Sequence, residues 1–573
     1  MEIYRYSLIG AMMLCALLLM NRWQDFSAVK VDQSGPTSSA AVIDQTIPNG
    51  AQAPAANSSA AFMEGEEGFE DLEADIPGQE LVTNAAIEEQ ASTSSDLISV
   101  KTDSLDVRID PLGGDIVYVA LPKHKTELDS DEPFILLNRN SSLTYIAQSG
   151  LIGPNATDKA GGVRPLFASQ SSSYSMNDEE DSLVVTLSFD GQENIDVLKV
   201  FTFQRNSYLV NIEYKINNRS EENWQAALFA QIKRDNSADP GSNNGGMGMA
   251  NYLGFATTTE DEPYVKVEFD DIKDSPYKSS ETGGWLSMVQ HYFISAWIPP
   301  ADQRTNYSST VTRSNANIMR MTGAPISVAA NSSGAIGADF YAGPKDQYVL
   351  EEIAPGLDLT VDYGWLWWIA QPLFWVLNWL YGFIGNWGWS IVGLTFLIKL
   401  AFFQLSAASY KSMAKMRVVA PKLAELKDRY GEDKQKYSQA MMELYKKEKI
   451  NPLGSCLPML IQMPVFIALY WTLMESVELR HTPFMGWIKD LSAMDPYFVL
   501  PILMGLSMWF MQKLNPPPPD PMQAKIFQWM PVVMTFLFLF FPAGLVLYWL
   551  TNNLLSMTQQ WIITRQIEAA AKK

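Results

Sequence analysis

Two hydrophobic patterns divide the chain. Between residues 98 and 355, short runs of alternating apolar and polar residues recur between Gly, Pro, Asn and Asp clusters; examples are residues 105–109, 183–187 and 209–214. Alternation with period two and frequent turn signals predicts an all-β antiparallel sandwich domain over residues 98–355. Continuous apolar runs begin after residue 363, and these predict transmembrane α-helices.

Residues 356–573 are predicted to form a membrane core of five transmembrane helices. The apolar runs predict spans at residues 390–409, 453–474, 496–512, 527–541 and 543–563. An aromatic-rich segment at 371–379 predicts an amphipathic helix that lies at the membrane interface. Pro542 and Gly544 predict a tight turn between the last two spans.

A basic segment, residues 409–451, separates the first two predicted spans. Its apolar residues recur at helical spacing on both sides of Gly431, as Met416, Leu423, Leu426 and Tyr430 before it and Tyr437, Met441 and Leu444 after it. This pattern predicts a hairpin of two antiparallel amphipathic helices. A solvated basic linker is the alternative interpretation.

The N-terminal part contains two kinds of segment. Residues 1–22 include an apolar run that no small-x-small cleavage site closes, which predicts an uncleaved signal-anchor transmembrane helix and a total of six spans. Residues 23–97 are rich in Ala, Ser, Gln, Pro and Glu and contain few large apolar residues. Such a composition buries too little surface to offset the entropy of ordering, so a disordered linker is predicted.

Charge is segregated along the chain. The net charge is −21, yet residues 356–573 carry 19 Lys and Arg against 14 Asp and Glu, so the acidic excess lies in the first part. Basic loops mark the cytoplasmic side of a membrane protein, which predicts that residues 409–451, residues 513–525 and both termini are cytoplasmic. The sandwich is then expected outside, in a periplasm. The bulk acidity argues against nucleic-acid binding.

No catalytic or metal-binding motif stands out. The chain contains no Gly-x-Ser-x-Gly, phosphate-loop or His-Glu-x-x-His pattern. His124, His291 and His481 are far apart, without metal-ligand spacing, and Cys15 and Cys456 both lie in apolar runs. We therefore expect a protein that is not an enzyme, with no catalytic residue, no metal site and no cofactor.

Lys399 is the one charged residue in the middle of a predicted span. It lies nine residues after Ser390, which at about 1.5 Å per residue places it roughly 13 Å from the membrane edge. A charge at this depth costs about 2.5–3.5 kcal/mol in a lipid-facing helix. No predicted span carries a carboxylate at matching depth, so we expect Lys399 to face a water-filled groove.

Other polar residues within the spans are expected to line the same groove. Thr395 lies one helical turn before Lys399, and the further candidates are Gln404, Gln462, Thr551, Asn552 and Asn553. Taken singly, each is more typical of an ordinary interhelical hydrogen bond. Together with an unpaired cation they favour a hydrophilic groove. The absence of acidic residues at mid-depth argues against a proton-coupled transporter.

Several separate stretches resemble the YidC family of membrane protein insertases. They are residues 358–367, 412–417, 449–454 (KINPLG), 460–464 (LIQMP) and 541–548 (FPAGLVLY). Residues 283–285, followed by residues 296–299, resemble the periplasmic domain of Gram-negative members. The resemblance covers the anchor, the sandwich and the helical core.

This resemblance implies a five-helix insertase core in the bacterial inner membrane. Its groove, open to the cytoplasm and to lipid, receives newly synthesised membrane proteins, alone or with the Sec translocon. Tyr548, Trp549 and Met463 are expected on the helix surface that substrates contact. The hairpin is expected to dock a nascent chain, a ribosome or anionic lipid through Lys415, Arg417, Lys422 and Arg429.

Two departures from the family pattern bear on the site. Lys399 stands where many members have arginine, which keeps the charge but loses the planar bidentate fork. Gln404 stands where relatives often have proline. The alternative functions are an envelope ligand-binding protein anchored by the spans and a small-solute transporter, although the spans show no internal repeat.

Overall fold

Two β-sheets form the part of the molecule that alternates with period two. The structure, a computed structural model, describes residues 60–62, 97–158, 164–240, 251–430, 433–448, 457–515 and 521–571. The first sheet comprises β1 (Ala60–Phe62), β2 (Ile98–Lys101), β3 (Asp106–Asp110), β4 (Asp115–Lys125), β5 (Pro133–Arg139), β6 (Thr144–Ile152), β8 (Ser173–Ser175), β12 (Trp224–Arg234), β15 (Lys278–Thr282), β18 (Arg304–Val311), β19 (Asn317–Gly323) and β20 (Ile326–Val328). The second comprises β7 (Ala168–Ser169), β9 (Ser182–Gln192), β10 (Ile195–Gln204), β11 (Leu209–Asn218), β13 (Gly254–Thr257), β14 (Val265–Val267), β16 (Leu286–Val289), β17 (Phe293–Ile298) and β21 (Ser332–Pro344).

The strand order confirms a mainly antiparallel arrangement. The first sheet runs β15-β18-β19-β12-β6-β5-β4-β3-β2-β8, with β20 joining β12 to β1, and the second runs β14-β13-β16-β17-β21-β11-β10-β9-β7. One pair, β2 with β8, is parallel. In β11, Val210, Ile212, Tyr214 and Ile216 are buried while their neighbours are more exposed, as period two requires.

The two sheets pack face to face. The ring of Phe134 on β5 stacks on Phe293 of β17, with 4.1 Å between the ring centroids. Trp297 on β17 donates its indole N–H to the Gln231 carbonyl on β12, at 3.2 Å. The predicted sandwich is therefore present, and a continuous apolar core lies between the layers.

One strand lies inside the predicted disordered linker. Residues of β1 pair antiparallel with β20, with Ala60 opposite Val328 and Phe62 opposite Ile326. The linker prediction was wrong at this point, because an Ala-Ala-Phe run can satisfy its backbone hydrogen bonds on a free sheet edge. The predicted anchor at residues 1–22 and the rest of the linker up to residue 96 lie outside the described residues.

Helices make up most of the chain after β21. Besides a short helix α1 (Phe269–Ile272) in the β-domain, they are α2 (Gln347–Ile353), α3 (Trp367–Ile384), α4 (Trp387–Ala401), α5 (Phe403–Tyr430), α6 (Lys434–Lys447), α7 (Leu457–Glu475), α8 (Val499–Leu514), α9 (Pro521–Phe538) and α10 (Ala543–Ala571), with 3₁₀ turns at Leu357–Thr360, Gly364–Leu366 and Val477–Leu479. The predicted interfacial segment is thus part of a longer helix, α3. This helix ends at Ile384 and is capped by Gly385, which adopts a left-handed conformation with φ of 68°.

The first predicted span of the core is not continuous. Helix α4 ends at Ala401, and α5 leaves at an angle of 69°. Neither proline nor glycine stands at the break; the Phe402 N–H instead bonds to both the Ile398 and Leu400 carbonyls, which tightens the last turn of α4. Among the described residues no single helix is both long and apolar enough to cross a membrane, although this bent pair qualifies when its two helices are taken together.

The predicted hairpin and the predicted tight turn are both present. Val419 of α5 and Tyr445 of α6 are buried against each other, so the two helices pack through their apolar faces. Asp433 caps the start of α6 by accepting from two backbone N–H groups. At the second feature, the Ala543 and Gly544 N–H groups bond to the Ala493 and Leu491 carbonyls, which anchors the turn before α10.

Candidate functional site

Lys399 lies where three helices meet. It follows Ile391, Leu394 and Ile398 on the face of α4 that packs into the helical core, and the residue is only 9% exposed. Its ammonium donates to the Ser556 hydroxyl of α10 at 2.8 Å and to Oε1 of Gln462 on α7 at 3.4 Å. The lysine therefore joins α4, α7 and α10.

Neutral groups alone surround this charge within the described part of the chain. The amide Nε2 of Gln462 donates to Oδ1 of Asn552 at 2.7 Å, and the Ser556 hydroxyl donates to the Asn552 backbone carbonyl at 2.6 Å. Tyr410 of α5 hydrogen-bonds Ser556. No described carboxylate forms an ion pair with Lys399, so its charge is solvated by dipoles and not neutralised.

The remaining predicted groove residues lie outside the hydrogen-bond network of Lys399. Thr395 donates to the Ile391 carbonyl one turn back on its own helix, at 2.7 Å. Asn553 donates to the Ser507 hydroxyl of α8 at 3.0 Å, and Gln404 is exposed. Thr551 is half-buried. Consecutive helical residues point about 100° apart, so residues 551–553 face different neighbours and Asn552 is the one directed at the lysine's network.

Two members of the network, Ser556 and Tyr410, were not among the predicted residues. Ser556 lies four positions after Asn552, on the same face of α10, and this spacing was a usable signal. Tyr410 lies beyond the break in the first span, in a segment that was assigned to the hairpin. Its contact with Ser556 depends on the 69° bend between α4 and α5, which the sequence pattern does not indicate.

The predicted substrate-contact residues differ in exposure. Met463 is 45% exposed on α7, whereas Tyr548 is buried and packs near Phe466. Trp549 is half-buried, with its ring edge-on to that of Phe466. The placement of Tyr548 on an outer surface was wrong, because it lies on the face of α10 that hydrogen-bonds Gln462.

The predicted docking residues lie on α5. Lys415, Lys422 and Arg429 are exposed, and Lys422 forms an ion pair at 2.6 Å with Glu448, just after α6. Arg417 falls within α5, but its side chain lies outside the described residues. The hairpin thus presents basic side chains away from its apolar seam, an arrangement suited to anionic surfaces.

The C-terminal end of α7 is attached to the β-domain by buried polar contacts. Lys345, just after β21, forms an ion pair at 3.0 Å with Glu475, the last residue of α7. His291 donates from Nε2 to the Met474 carbonyl at 2.9 Å. Burial, assisted by the nearby Lys345 charge, lowers the pKa of His291 to about 4, so the imidazole is neutral at pH 7.

These features define a two-part protein: a β-sheet domain fixed to an apolar helical bundle that holds a lysine without a described ion-pair partner. The described residues contain no group of three or more His, Cys, Asp or Glu that could hold a metal ion. The family model described as YidC periplasmic domain matches residues 97–376, and that described as 60Kd inner membrane protein matches residues 379–571. The chain belongs to the YidC family of membrane protein insertases.

Full-length relatives support this assignment. A membrane protein insertase YidC from Cellvibrio japonicus is 53% identical over 576 residues, covering 99% of each chain. The corresponding protein from Azotobacter vinelandii is 51% identical over 582 residues and covers 100% of both chains. A crystal structure of an active YidC insertase covers 82% of this chain and 92% of its own, with 17% identity and a TM-score of 0.37.

Proposed function

We propose that this chain inserts newly synthesised membrane proteins into the bacterial inner membrane, and that Lys399 attracts the polar segment that must cross. The supporting observation is the buried lysine whose described partners are all neutral. An acidic substrate segment would supply the counter-charge that none of the described residues provides. In a medium of low dielectric constant, this attraction acts more strongly than at a water-exposed surface.

The proposed mechanism is physical and consumes no nucleotide. The polar cluster of Lys399, Gln462, Asn552 and Ser556 gives the polar segment a stopping point within the membrane. The substrate's apolar segment then moves along the exposed surface of α7, which includes Met463, into lipid. Burial of roughly twenty apolar residues drives the transfer. The cluster shortens the distance that the polar segment must travel without polar partners.

We also propose six spans, with both termini and the α5–α6 hairpin in the cytoplasm and the β-domain in the periplasm. The basic residues of segment 409–451 support this orientation. The proposed partners are nascent membrane proteins, the Sec translocon, the ribosome and membrane lipids. Lys415, Lys422 and Arg429 are the proposed contacts for the ribosome or for anionic lipid.

The decisive experiment measures insertion by the purified protein in liposomes. The substrate is a single-span protein with an acidic translocated segment, and a second version carries a neutral segment. Lys399→Met should slow insertion of the acidic version by about tenfold or more and affect the neutral version less, whereas Lys399→Arg should retain most activity. Gln404→Ala, which removes an exposed polar side chain outside the cluster, is the matched control.

Two outcomes would contradict the proposal at different levels. If the intact protein does not insert either substrate, the proposed activity is wrong. If Lys399→Met inserts both substrates as fast as the intact protein does, insertion does not depend on the charge, and only the electrostatic step is refuted.

A further inference from the structure

A groove of about 490 Å³ lies between α2, which follows β21, and the aromatic helix α3. Its walls are formed by Tyr348 of α2 and by Trp375, Asn378, Trp379, Gly382 and Phe383 of α3. None of these six residues carries a charge, and four of them are aromatic. The groove is separate from the cluster around Lys399.

Helical spacing explains why these side chains share one face. Trp375, Trp379 and Phe383 follow one another at intervals of four residues and are 60%, 50% and 75% exposed. The opposite face of α3, with Ala370 and Leu377, is buried in the core. The described residues of the chain therefore leave this aromatic row uncovered.

Gly382 opens a notch in this row. A Cβ atom added at this position would have no atom within 4 Å, so the space beside it is open. Asn378, one turn earlier, places a side-chain amide at the same notch. The groove thus combines aromatic walls with one neutral donor and acceptor group.

The surroundings of the groove favour a cation. Glu351 and Glu352 lie three and four residues after Tyr348, on the same side of α2, and both are exposed. Aromatic faces attract ammonium groups, and neighbouring carboxylates add to this attraction. Helix α3 itself contains no charged residue, so it offers nothing basic to hold an anionic headgroup.

We propose that this groove binds the headgroup of a zwitterionic phospholipid, with the ammonium over the Trp375 and Trp379 rings and the phosphate near the Asn378 amide. Membrane lipid is the occupant that an exposed tryptophan row on an inner-membrane protein contacts, since such residues concentrate at the headgroup level. The proposal rests on the membrane location and not on insertion activity.

The test uses the full-length protein reconstituted in vesicles with equal amounts of phosphatidylethanolamine and phosphatidylglycerol. After gentle solubilisation, native mass spectrometry identifies the lipids that remain bound. The intact protein should retain phosphatidylethanolamine preferentially. The double variant Trp375→Leu/Trp379→Leu, which keeps apolar side chains but removes the aromatic faces, should reduce that retention by about tenfold.

Two further variants make the result specific. Gly382→Leu places a side chain in the notch, where the added Cβ meets no atom within 4 Å, and should cause a similar loss while the melting temperature stays unchanged. Trp389→Leu removes an exposed tryptophan outside the groove, on α4, and should leave retention as it was. Equal retention in the intact protein and Gly382→Leu, or a preference for phosphatidylglycerol, would overturn the proposal.

Discussion

The buried ion pair between Lys345 and Glu475 should govern how firmly the β-domain is held on the helical core. The two side chains are 2% and 6% exposed, and their charged atoms are 3.0 Å apart. Lys345 also donates to the Thr360 carbonyl at 3.2 Å. The substitution Lys345→Met keeps an unbranched side chain of similar length but removes the positive charge.

The expected magnitude follows from what the substitution leaves behind. The Glu475 carboxylate would stay buried without its ammonium partner, and breaking one side of such a pair costs about 3–5 kcal/mol. The double variant Lys345→Met/Glu475→Met leaves neither charge and should recover most of this loss. Comparing the two variants therefore separates two free energies: the cost of burying the Glu475 carboxylate without a partner, and the net contribution of the ion pair to stability.

Denaturant unfolding of the full-length protein in detergent, followed by tryptophan fluorescence and by proteolysis near residues 345–366, measures the effect. Lys489→Met is the matched control, because Lys489 joins the same two parts through an exposed pair with Asp129 at 3.8 Å and should change stability little. A Lys345→Met effect below about 1 kcal/mol, or a double variant no more stable than the single one, would show that the ion pair does not hold the two parts together.

Three further substitutions test other contacts. Ser556→Ala removes the 2.8 Å hydrogen bond from Lys399 and should slow insertion of an acidic substrate several-fold more than that of a neutral one. An equal effect on both substrates would show that Ser556 does not position the Lys399 ammonium. The pKa of His291 is 6.5 in the unfolded chain and about 4 in the folded protein. Acidification from pH 7 to 5 therefore protonates the unfolded state only and should lower the free energy of unfolding by about 2 kcal/mol. His291→Gln should flatten this dependence of the melting temperature, and an unchanged slope would contradict the assignment. Gly388→Ala would place a Cβ against the Phe484 ring and should cost about 1–3 kcal/mol in unfolding measurements, a loss that Phe484→Leu should partly restore if the clash is the cause.

Local patterns were sufficient for part of the fold. Period-two alternation identified runs that fall on β3, β9 and β11, and the 3.6-residue period identified both helices of the hairpin, whose seam contains Val419 and Tyr445. Such periodicity reports which face of one element is buried, and this is a property of the segment itself. It does not report which other element covers that face. The strand β1 was missed for this reason, since its pairing depends on the distant edge of β20.

For the candidate site, the sequence alone determined that Lys399 lies in an apolar segment, and it predicted that no carboxylate lies at matching depth. That conclusion needs only positions along the chain and the cost of an isolated charge. The tertiary structure decided the neighbours of Lys399: Ser556 and Gln462 bond it directly, Asn552 and Tyr410 support them, and Asn553 turns away. The rotation of α10 and the break after Ala401 set these contacts, and both result from the packing of whole helices, which no single segment encodes.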